Sequence, residues 1–531
     1  MNLLEAPWVP VRSDHGAGPI RLLKLEELLC SEGTWRVSLP RDDLELACLQ
    51  LLVCMAQVMS LPKDDAELRR RCRAPLTPEE LFDGFSPCAD WFDLDHPTHP
   101  FMQIRDVVGK WTSVQKLLPG MPERTSSSPS AHSFFNTPVD IERIGGTVAA
   151  IALFNQAANA PSFGGGFKAG LRGAAPITTL VGGNGLRETI WRNVVTLPRV
   201  QEFLPNYAHN HATDRPTWIQ PILAKQRIPW HEIGLTRGLF WQPAHIELER
   251  AGAHGECDVL ARGSYSIYTG FRGARFLFDV DGLWPHLHGV RLAVRRGGKV
   301  EDKFESFRNS APAWTHLTQF VIASPVSATE PIGSVPATPV QQAPAVFPAE
   351  SLHLIVGGYR ANKASIEERR HELYSLAEIW DDDGKGRLTA LVRSGVKARE
   401  ALLDALFLVG FGCEIERAGK KGVLKGVGLT HKKKGRKAIR RRDDAYGFHD
   451  SGERLFYAHT ESLFHETLRE GLSRQAWRSG KAAFIDRIVA TCKDIYRLLT
   501  DPYTHKAEFI PIVAWARRSL HNNLKTLKED V

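Results

Sequence analysis

Apolar residues recur at helical spacing in two segments of the first half of the chain. RDDLELACLQLLVCMAQVM starts with aspartates that suit a helix N-terminus and then keeps an apolar face, and the alanine-rich GTVAAIALFNQAANA has similar spacing. Other segments predict strands: PITTLV is β-branched, and ARFLFDVDGLWP and VRLAVRRGGKVEDKF are strand-like around turns. These elements follow no repeating βαβ order, so residues 1–323 predict a mixed α+β domain.

The pattern becomes almost purely helical after residue 351. Five segments have helical apolar spacing: ASIEERRHELYSLAEIW, RLTALVRSGVKAREALLDALFLVG, ERLFYAHTESLFHETLREGL, SGKAAFIDRIVATCKDIYRLL and AEFIPIVAWARRSLHNNLKTLKE. Before them, residues 324–351 contain six prolines and two charged residues, which predicts a flexible or polyproline-like connector. The predicted fold is α+β, with a large mixed N-terminal domain over residues 1–360 and a C-terminal helical (four-helix) bundle over residues 361–531.

The composition is that of a globular protein with reduced thiols. Of the 531 residues 43% are hydrophobic and 24% charged, both ordinary values for a soluble domain. The N-terminus has an early glutamate and two prolines and does not resemble a signal peptide, and the most apolar run, residues 44–61, is interrupted by polar side chains. The eight cysteines form no C-x-x-C pair. We therefore expect a cytoplasmic protein without disulfides or a cysteine zinc site.

Positive charge is concentrated in the last third of the chain. Residues 351–531 carry 34 Lys and Arg against 24 Asp and Glu, a net charge of +10, whereas the whole chain carries +8. The excess is densest in a predicted basic loop over residues 417–442, which includes Lys432, Lys433 and Lys434. Such asymmetry favours a polyanionic partner, nucleic acid first. A solvated basic face is the alternative.

The stretch APSFGGGFKAGLRG, residues 160–173, has five glycines. A P-loop needs a serine or threonine after its lysine, but Lys168 is followed by Ala169. The predicted order of helix, loop and strand also reverses the order that a dinucleotide fingerprint requires. Because glycine lets the backbone approach a surface closely, the loop suits contact with a DNA minor groove. On the residues alone, a tight structural turn that packs a helix against a strand is the favoured interpretation.

Catalytic chemistry has little support in the pattern. Two turns carry residues that could hold a metal: Asp95, His96 and His99 in DHPTHPF, and His209, His211 and Asp214 in HNHATD. Such turns often use these side chains for hydrogen bonding alone, and that interpretation is favoured. No paired carboxylates, nucleophile elbow or Ser/His/Asp set stands out. We predict no catalytic residue, no metal and no cofactor; a metal-dependent nuclease and a purely structural scaffold remain the alternatives.

Nine blocks carry a family resemblance over most of the first 375 residues. In order they are NLLEAPWVPVR, WRVSLPRDDLELACLQLLVC, HPFMQ, IALFNQAANAPSFGGGFKAGLRG, RGLFWQPAHIEL, YTGF, GLWPH, SAPAWT and GGYRANKASIEERRHE. They closely resemble CasA, the large subunit of the type I-E CRISPR Cascade surveillance complex. The resemblance implies a non-catalytic subunit of an RNA-guided antiviral ribonucleoprotein that recognises the protospacer-adjacent motif (PAM) in duplex DNA from the minor groove.

The resemblance also implies a set of partners. The family helps to open the duplex for R-loop formation and then recruits a helicase–nuclease. The implied partners are double-stranded target DNA, the guide CRISPR RNA, the helicase–nuclease, and the backbone, small and guide-end-capping subunits of Cascade. No membrane is involved.

The family's DNA-contacting positions can be carried over residue by residue. The resemblance places Gly165 at the PAM minor groove, with Gly164 and Gly166 keeping that approach open. The family's PAM-recognising lysine falls on Arg275. The wedge that lies below the PAM falls on Asn362, Lys363 and Ala364, with Lys363 in place of the usual glutamine.

Further positions follow from the same resemblance. Phe134, Phe135 and Asn136 in SFFNTP fall on a loop near the PAM and the 5′ end of the guide RNA. A duplex-guiding basic patch falls on Arg295, Arg296, Lys299 and Lys303. From charge alone, and not from the resemblance, Lys432, Lys433 and Lys434 are expected to contact DNA phosphate. Lys168 completes the expected contacts with the DNA backbone.

Overall fold

A computed structural model describes residues 1–13, 18–121, 141–327, 330–416, 446–507 and 509–529. Its helices are α1 (Leu25–Leu29), α2 (Asp42–Met59), α3 (Asp65–Arg73), α4 (Pro78–Phe85), α5 (Gly146–Ala158), α6 (Leu186–Asn193), α7 (Leu197–Phe203), α8 (Tyr207–Asn210), α9 (Leu235–Leu239), α10 (Leu317–Val321), α11 (Thr338–Val346), α12 (Asp382–Glu416), α13 (Phe448–Glu466), α14 (Trp477–Thr500) and α15 (Ile510–Glu529).

The strands are mostly short. They are β1 (Val9–Ser13), β2 (Arg21–Leu23), β3 (Trp35–Val37), β4 (Thr112–Ser113), β5 (Ile144–Gly145), β6 (Thr178–Val181), β7 (Arg227–Pro229), β8 (His245–Cys257), β9 (Arg262–Ala274), β10 (Asp279–Asp281), β11 (Arg291–Arg296), β12 (Lys299–Phe304), β13 (Ile332–Val335), β14 (Leu352–Asn362) and β15 (Ser365–Leu376).

The chain forms two compact units. The first comprises Met1–Asn309, Gln319–Pro348 and His353–Leu373, and the second comprises Ser310–Thr318, Ala349–Leu352 and Tyr374–Val531. The first unit mixes helices with several small sheets, of orders β2-β1-β3, β12-β11-β13 and β15-β14-β6, a parallel pair β10-β7, and a sheet in which β9 pairs with β4, β5 and β8. The mixed α+β prediction is confirmed.

The core of the first unit is built on the two helices that the pattern predicted most clearly. Helices α2 and α5 pack together, and nearly every side chain of both is buried. Helix α5 ends at Ala158, the glycine-rich segment follows, and β6 begins at Thr178. The predicted order of helix, loop and strand is therefore confirmed.

Strand β6 places the glycine-rich segment beside the β14–β15 hairpin. It pairs with β14 in antiparallel register, with Thr178 opposite Gly357 and Val181 opposite Leu354. The loop that leads into β6 consequently lies near the far end of β14, where the hairpin turns.

The second unit is helical. Helices α12, α13, α14 and α15 pack on one another around buried side chains such as Leu402, Phe456, Ile488 and Leu520. Packing is close at Gly452, where a Cβ atom would lie 2.2 Å from Leu406 Cδ1. The predicted helical bundle is confirmed. Among the residues that the structure describes, no helix combines the length and apolar character needed to cross a bilayer.

The segment 324–351 is not the flexible connector that its prolines predicted. Strand β13 pairs with β11, and helix α11 follows, with Val340 and Val346 buried. Pro339 lies in the first turn of α11, where a missing N–H costs nothing. The connector prediction fails because apolar residues between the prolines, such as Val340 and Val346, are buried in the core, and this burial outweighs the cost of Pro344 inside α11.

The segment ASIEERRHELYSLAEIW is also a correction, because it was predicted helical and forms β15. Strand β15 continues directly from β14 through a two-residue turn. Arg360 on β14 forms ion pairs with Glu367 and Glu368 on β15. Pairing with a long neighbouring strand thus overrides the weak helical spacing of a charged segment.

The strand predictions near residue 290 are confirmed in part. Strands β11 and β12 form an antiparallel hairpin closed by Gly297 and Gly298, both with positive φ, as expected for a two-residue hairpin turn. ARFLFDVDGLWP contributes only the short β10 beyond the end of β9.

Candidate nucleic-acid interface

The glycine loop, residues 160–173, exposes bare backbone at its centre. Gly164, Gly165 and Gly166 have φ of +77°, +56° and +89°, the left-handed region that side chains disfavour. Phe167 N donates to Gly164 O at 3.0 Å and closes a tight turn. Gly165 is exposed, and a Cβ built on it would meet nothing within 4 Å. Its backbone can therefore approach another molecule without obstruction from this protein.

Aromatic rings hold the two ends of that turn. The Phe163 ring stacks on Phe271 with centroids 5.6 Å apart, and Phe167 meets Phe163 edge-on at 5.5 Å. Lys168 Nζ lies 3.1 Å from Asp279 Oδ1 in an exposed ion pair, of the kind that contributes little to stability and is easily exchanged. The turn is thus rigid, whereas its lysine can change partner.

Arg275 is brought to the loop from 110 residues further along the chain. Its Nη1 donates to Gly165 O at 2.5 Å. A Cβ on Gly166 would lie 2.7 Å from the same Nη1 atom, so glycine at 166 makes room for the guanidinium. A guanidinium has five N–H donors, and this contact uses one nitrogen to fix the loop.

The tip of the β14–β15 hairpin lies against the other side of the loop. Asn362, Lys363 and Ala364 are all exposed, and Lys363 has φ +57°. A Cβ on Gly164 would lie 3.2 Å from Ala364 Cβ. The structure therefore brings the glycines, Arg275 and the hairpin tip together, although they come from three separate parts of the sequence.

A buried polar network lies behind the loop and the hairpin. Tyr359 OH donates to Asp43 Oδ2 and accepts from Asn155 Nδ2, both at 2.7 Å. Asn159 Nδ2 donates to Asn155 Oδ1 at 3.1 Å, and Arg172 Nη2 donates to Asn159 Oδ1 at 2.5 Å. This network, Asp43, Tyr359, Asn155, Asn159 and Arg172, joins β14 to both ends of the glycine loop.

Charge within the network is balanced at one end. Burial raises the pKa of the Asp43 carboxyl, but the bidentate Arg41 guanidinium and the Tyr359 hydroxyl outweigh burial and hold that pKa below its ordinary value. At the other end, burial lowers the pKa of Arg172 to about 9, which leaves it charged at neutral pH. Arg172 also donates to Thr178 Oγ1 at 3.0 Å.

Sequence reasoning did not identify this network. The available signal was the pair of polar residues Asn155 and Asn159, four positions apart at the end of an otherwise apolar helix. Both are buried in the structure, and a buried amide requires hydrogen-bond partners.

The basic patch on the β11–β12 hairpin is divided between two faces. Arg296 pairs with Lys299, and Lys303 pairs with Leu292, so these three cations share one face. Arg295 pairs with Val300 and lies on the opposite face. Arg296 and Lys299 are exposed and Lys303 is half-buried. The structure brings together three of the four predicted residues.

Two groups of predicted contacts lie outside the described residues. Phe134, Phe135 and Asn136 fall within residues 122–140, and Lys432, Lys433 and Lys434 fall within residues 417–445.

The histidine and aspartate turns make structural contacts. Asp95 accepts from the Met1 amino group at 2.7 Å, Ser266 Oγ at 2.6 Å and Tyr268 OH at 2.9 Å. Asp214 accepts from the backbone N–H groups of Thr236 and Arg237. Within the described part of the chain, no group of three or more His, Cys, Asp or Glu side chains is arranged to hold a metal ion.

Comparison with known proteins adds a family and a shared fold. A family model described as CRISPR-associated protein Cse1 matches residues 2–487. The structure of Cse1 from Thermobifida fusca has a TM-score of 0.70 at 18% identity, covering 100% of this chain and 98% of that one. CasA from Thermus thermophilus has a TM-score of 0.67 at 16% identity, covering 99% of both chains.

A third similar structure is a chain of a CRISPR RNA-guided surveillance complex. It has a TM-score of 0.64 at 17% identity and covers 98% of this chain and 99% of that one. Identities this low show a common fold, and the likeness extends over nearly the whole of each chain.

Proposed function

This chain belongs to the Cse1 (CasA) family, and from that premise we propose that it is a non-catalytic subunit of an RNA-guided DNA surveillance complex acting in the cytoplasm. In this proposal the glycine loop and Arg275 recognise the protospacer-adjacent motif in duplex DNA from the minor groove. The hairpin tip starts strand separation, and the subunit then recruits a helicase–nuclease. The exposed backbone of Gly165, bonded to Arg275 and next to Gly164, which lies close to Ala364 at the hairpin tip, is the observation that carries the proposal.

The shape of the loop suits a narrow groove. The minor groove of B-DNA is about 6 Å wide and presents acceptors on the base edges. A side chain at position 165 would hold the backbone away, whereas the glycine allows backbone atoms to reach those edges. Arg275, fixed by Gly165 O, adds a cation at the same place, and cations favour the negative potential of a narrow minor groove.

In this proposal the hairpin tip acts on the base step that follows the recognised motif. Lys363 projects from a two-residue turn that contacts the loop through Ala364. Exchange of a DNA duplex for an RNA–DNA heteroduplex is nearly balanced in free energy, so a modest contribution from protein decides whether opening starts. A lysine there fills space below the recognised base pairs and attracts phosphate.

The basic face of the β11–β12 hairpin supports a role for this unit in holding duplex DNA. Arg296, Lys299 and Lys303 offer three cations on one side, and each phosphate contact releases counterions and strengthens binding in a salt-dependent way. We assign Arg295 and Lys168 a weaker role, because Arg295 lies on the other face and Lys168 is paired with Asp279. Residues 134–136 and 432–434 remain proposed contacts with the PAM and guide RNA end and with DNA phosphate.

The proposal is tested with Gly165→Asp in the assembled complex. The matched control is Gly173→Asp, because Gly173 has φ +80° and a Cβ there also meets nothing within 4 Å. Both variants place an aspartate at a residue with positive φ, but only residue 165 lies at the centre of the loop. A guide-matched duplex library with randomised flanks measures binding.

We expect Gly165→Asp to lose duplex binding while complex assembly and single-stranded target binding persist, and Gly173→Asp to retain all three. If wild type and Gly165→Asp prefer the same flanking sequences, the glycines are structural and the motif is recognised elsewhere.

A further inference from the structure

A cleft of about 190 Å³ opens between the glycine loop and the β14–β15 hairpin. Residues 160–163 form one wall, residues 364–366 form a second, and residues 116–121 form a third. Ala364 belongs both to this lining and to the hairpin tip that contacts Gly164. The cleft therefore begins at the point where the proposed function places strand separation.

The lining combines an aromatic face with polar groups. Phe163 contributes a ring that is held in place by stacking on Phe271. Lys116, Ser162 and Ser365 are half-buried around the cleft and bring an ammonium and two hydroxyl groups. A site for a purely apolar ligand would not carry these groups, whereas a planar ring with polar edges matches both kinds of lining.

A nucleobase has that chemistry. Its faces stack on aromatic side chains whatever its sequence, and its edges exchange hydrogen bonds with hydroxyl, amide and ammonium groups. A cleft of this volume has room for a single base.

We propose that this cleft accepts one unpaired nucleobase from the DNA strands that the hairpin tip separates. The inference rests on the proposed function, because it takes the tip of the hairpin as the point of opening. A base that loses its neighbours at that point gains a new stacking partner in Phe163. Capture of the base then opposes re-pairing and makes the first step of opening harder to reverse.

The test fills the cleft with Ser365→Leu and compares it with Ser86→Leu, the same change at an exposed site elsewhere in the first unit. Binding is measured with the assembled complex on a guide-matched intact duplex and on the single-stranded target. We expect Ser365→Leu to weaken intact-duplex binding roughly tenfold, the order of one lost base–aromatic stack. Single-stranded binding and flank preference stay as in wild type, and Ser86→Leu binds both substrates as wild type does.

Abasic nucleotides identify the occupant. One duplex carries an abasic site at the first unpaired position of the target strand, and a second carries it in the displaced strand. One of these two substrates should abolish the difference in binding between Ser365→Leu and wild type. The strand that carries that abasic site is the strand that supplies the base. Ser365→Leu binding equal to wild type on the intact duplex, or a difference that persists on both abasic duplexes, would overturn the proposal.

A measurement on the wild-type complex needs no folded variant. A thymine at the same position should react more slowly with permanganate than the same thymine in a free single strand, because the cleft encloses its ring. Equal reactivity at that position in both DNA strands would also overturn the proposal. Failure of the proposed function gives a different result: Gly165→Asp would then keep duplex binding and flank preference, whatever Ser365→Leu does.

Discussion

Removal of one hydroxyl group, in Tyr359→Phe, should destabilise the first unit strongly. The hydroxyl donates to the buried Asp43 carboxylate and accepts from Asn155 Nδ2, each at 2.7 Å. A hydrogen bond to a charged group contributes about 1.5–3 kcal/mol, and a buried donor left without a partner costs about 1–3 kcal/mol. Relaxation of the side chains around the lost hydroxyl recovers part of both effects. We therefore expect the free energy of unfolding to fall by about 3 kcal/mol.

Urea unfolding of the full chain measures this loss. With an m-value of about 3 kcal/mol per molar urea, the transition that involves the first unit should move about 1 M lower. The control is Tyr265→Phe, because the Tyr265 side chain is 47% exposed and a surface change of this kind costs less than about 0.5 kcal/mol. A midpoint for Tyr359→Phe that equals the control midpoint would refute the assigned hydrogen bonds.

The same variant should change the response to acid. The folded-state pKa of Asp43 is below its ordinary value, so this carboxylate contributes stability that is present above its unfolded pKa of about 3.9 and lost as the pH falls through the folded-state value. Loss of the Tyr359 hydrogen bond raises the folded-state pKa. Acid unfolding of Tyr359→Phe should therefore begin at a higher pH than that of wild type, beyond its general destabilisation.

Four other variants separate stability from DNA contact. Lys363→Gly relieves the positive φ of that residue and should leave the melting temperature unchanged or slightly raised, while strand opening, followed by 2-aminopurine fluorescence, decreases. Arg275→Ala removes the hydrogen bond to Gly165 O and should weaken duplex binding about tenfold without affecting single-stranded target binding, as measured by titration. Charge reversal of both Arg296 and Lys299 should lower the salt dependence of duplex binding by about two phosphate contacts. Reversal of Arg295, on the other face, should lower it less. Equal slopes of log affinity against log salt concentration for the two variants would contradict the division of faces.

The long helices were predictable because their information is local. Apolar residues at helical spacing marked α2, α5 and the bundle helices, and packing in the structure agrees with that spacing. The turn between β11 and β12 was predictable for the same reason, because the two consecutive glycines at 297–298 that close it are visible in the sequence. Prediction failed at β15 and α11, where the outcome depends on pairing with β14 and on burial in the core, neither of which is encoded in the segment itself.

The candidate site shows the same division between local and distant information. A run of three glycines indicated backbone without side chains, and a Cβ on Gly165 would meet nothing within 4 Å; the contact of this backbone with DNA stays a prediction. The pattern by itself did not indicate that Arg275 would reach Gly165 or that Ala364 would touch Gly164, because those contacts depend on how separate strands are placed. Family resemblance pointed to all three positions. The hydrogen-bond network behind the loop, which includes Tyr359 and Asn155, was recognised only in the structure.

The glycine loop is not a portable module. Its sequence is only fourteen residues long, but its conformation is maintained by Arg275 on one side, Ala364 on another and the network that ends at Arg172 beneath it. A graft of residues 160–173 onto an unrelated scaffold would carry flexible glycines without the contacts that order them. Under the proposed function, a change of the recognised DNA motif should therefore be designed at Arg275 and Lys363, with the glycines and their supports left in place.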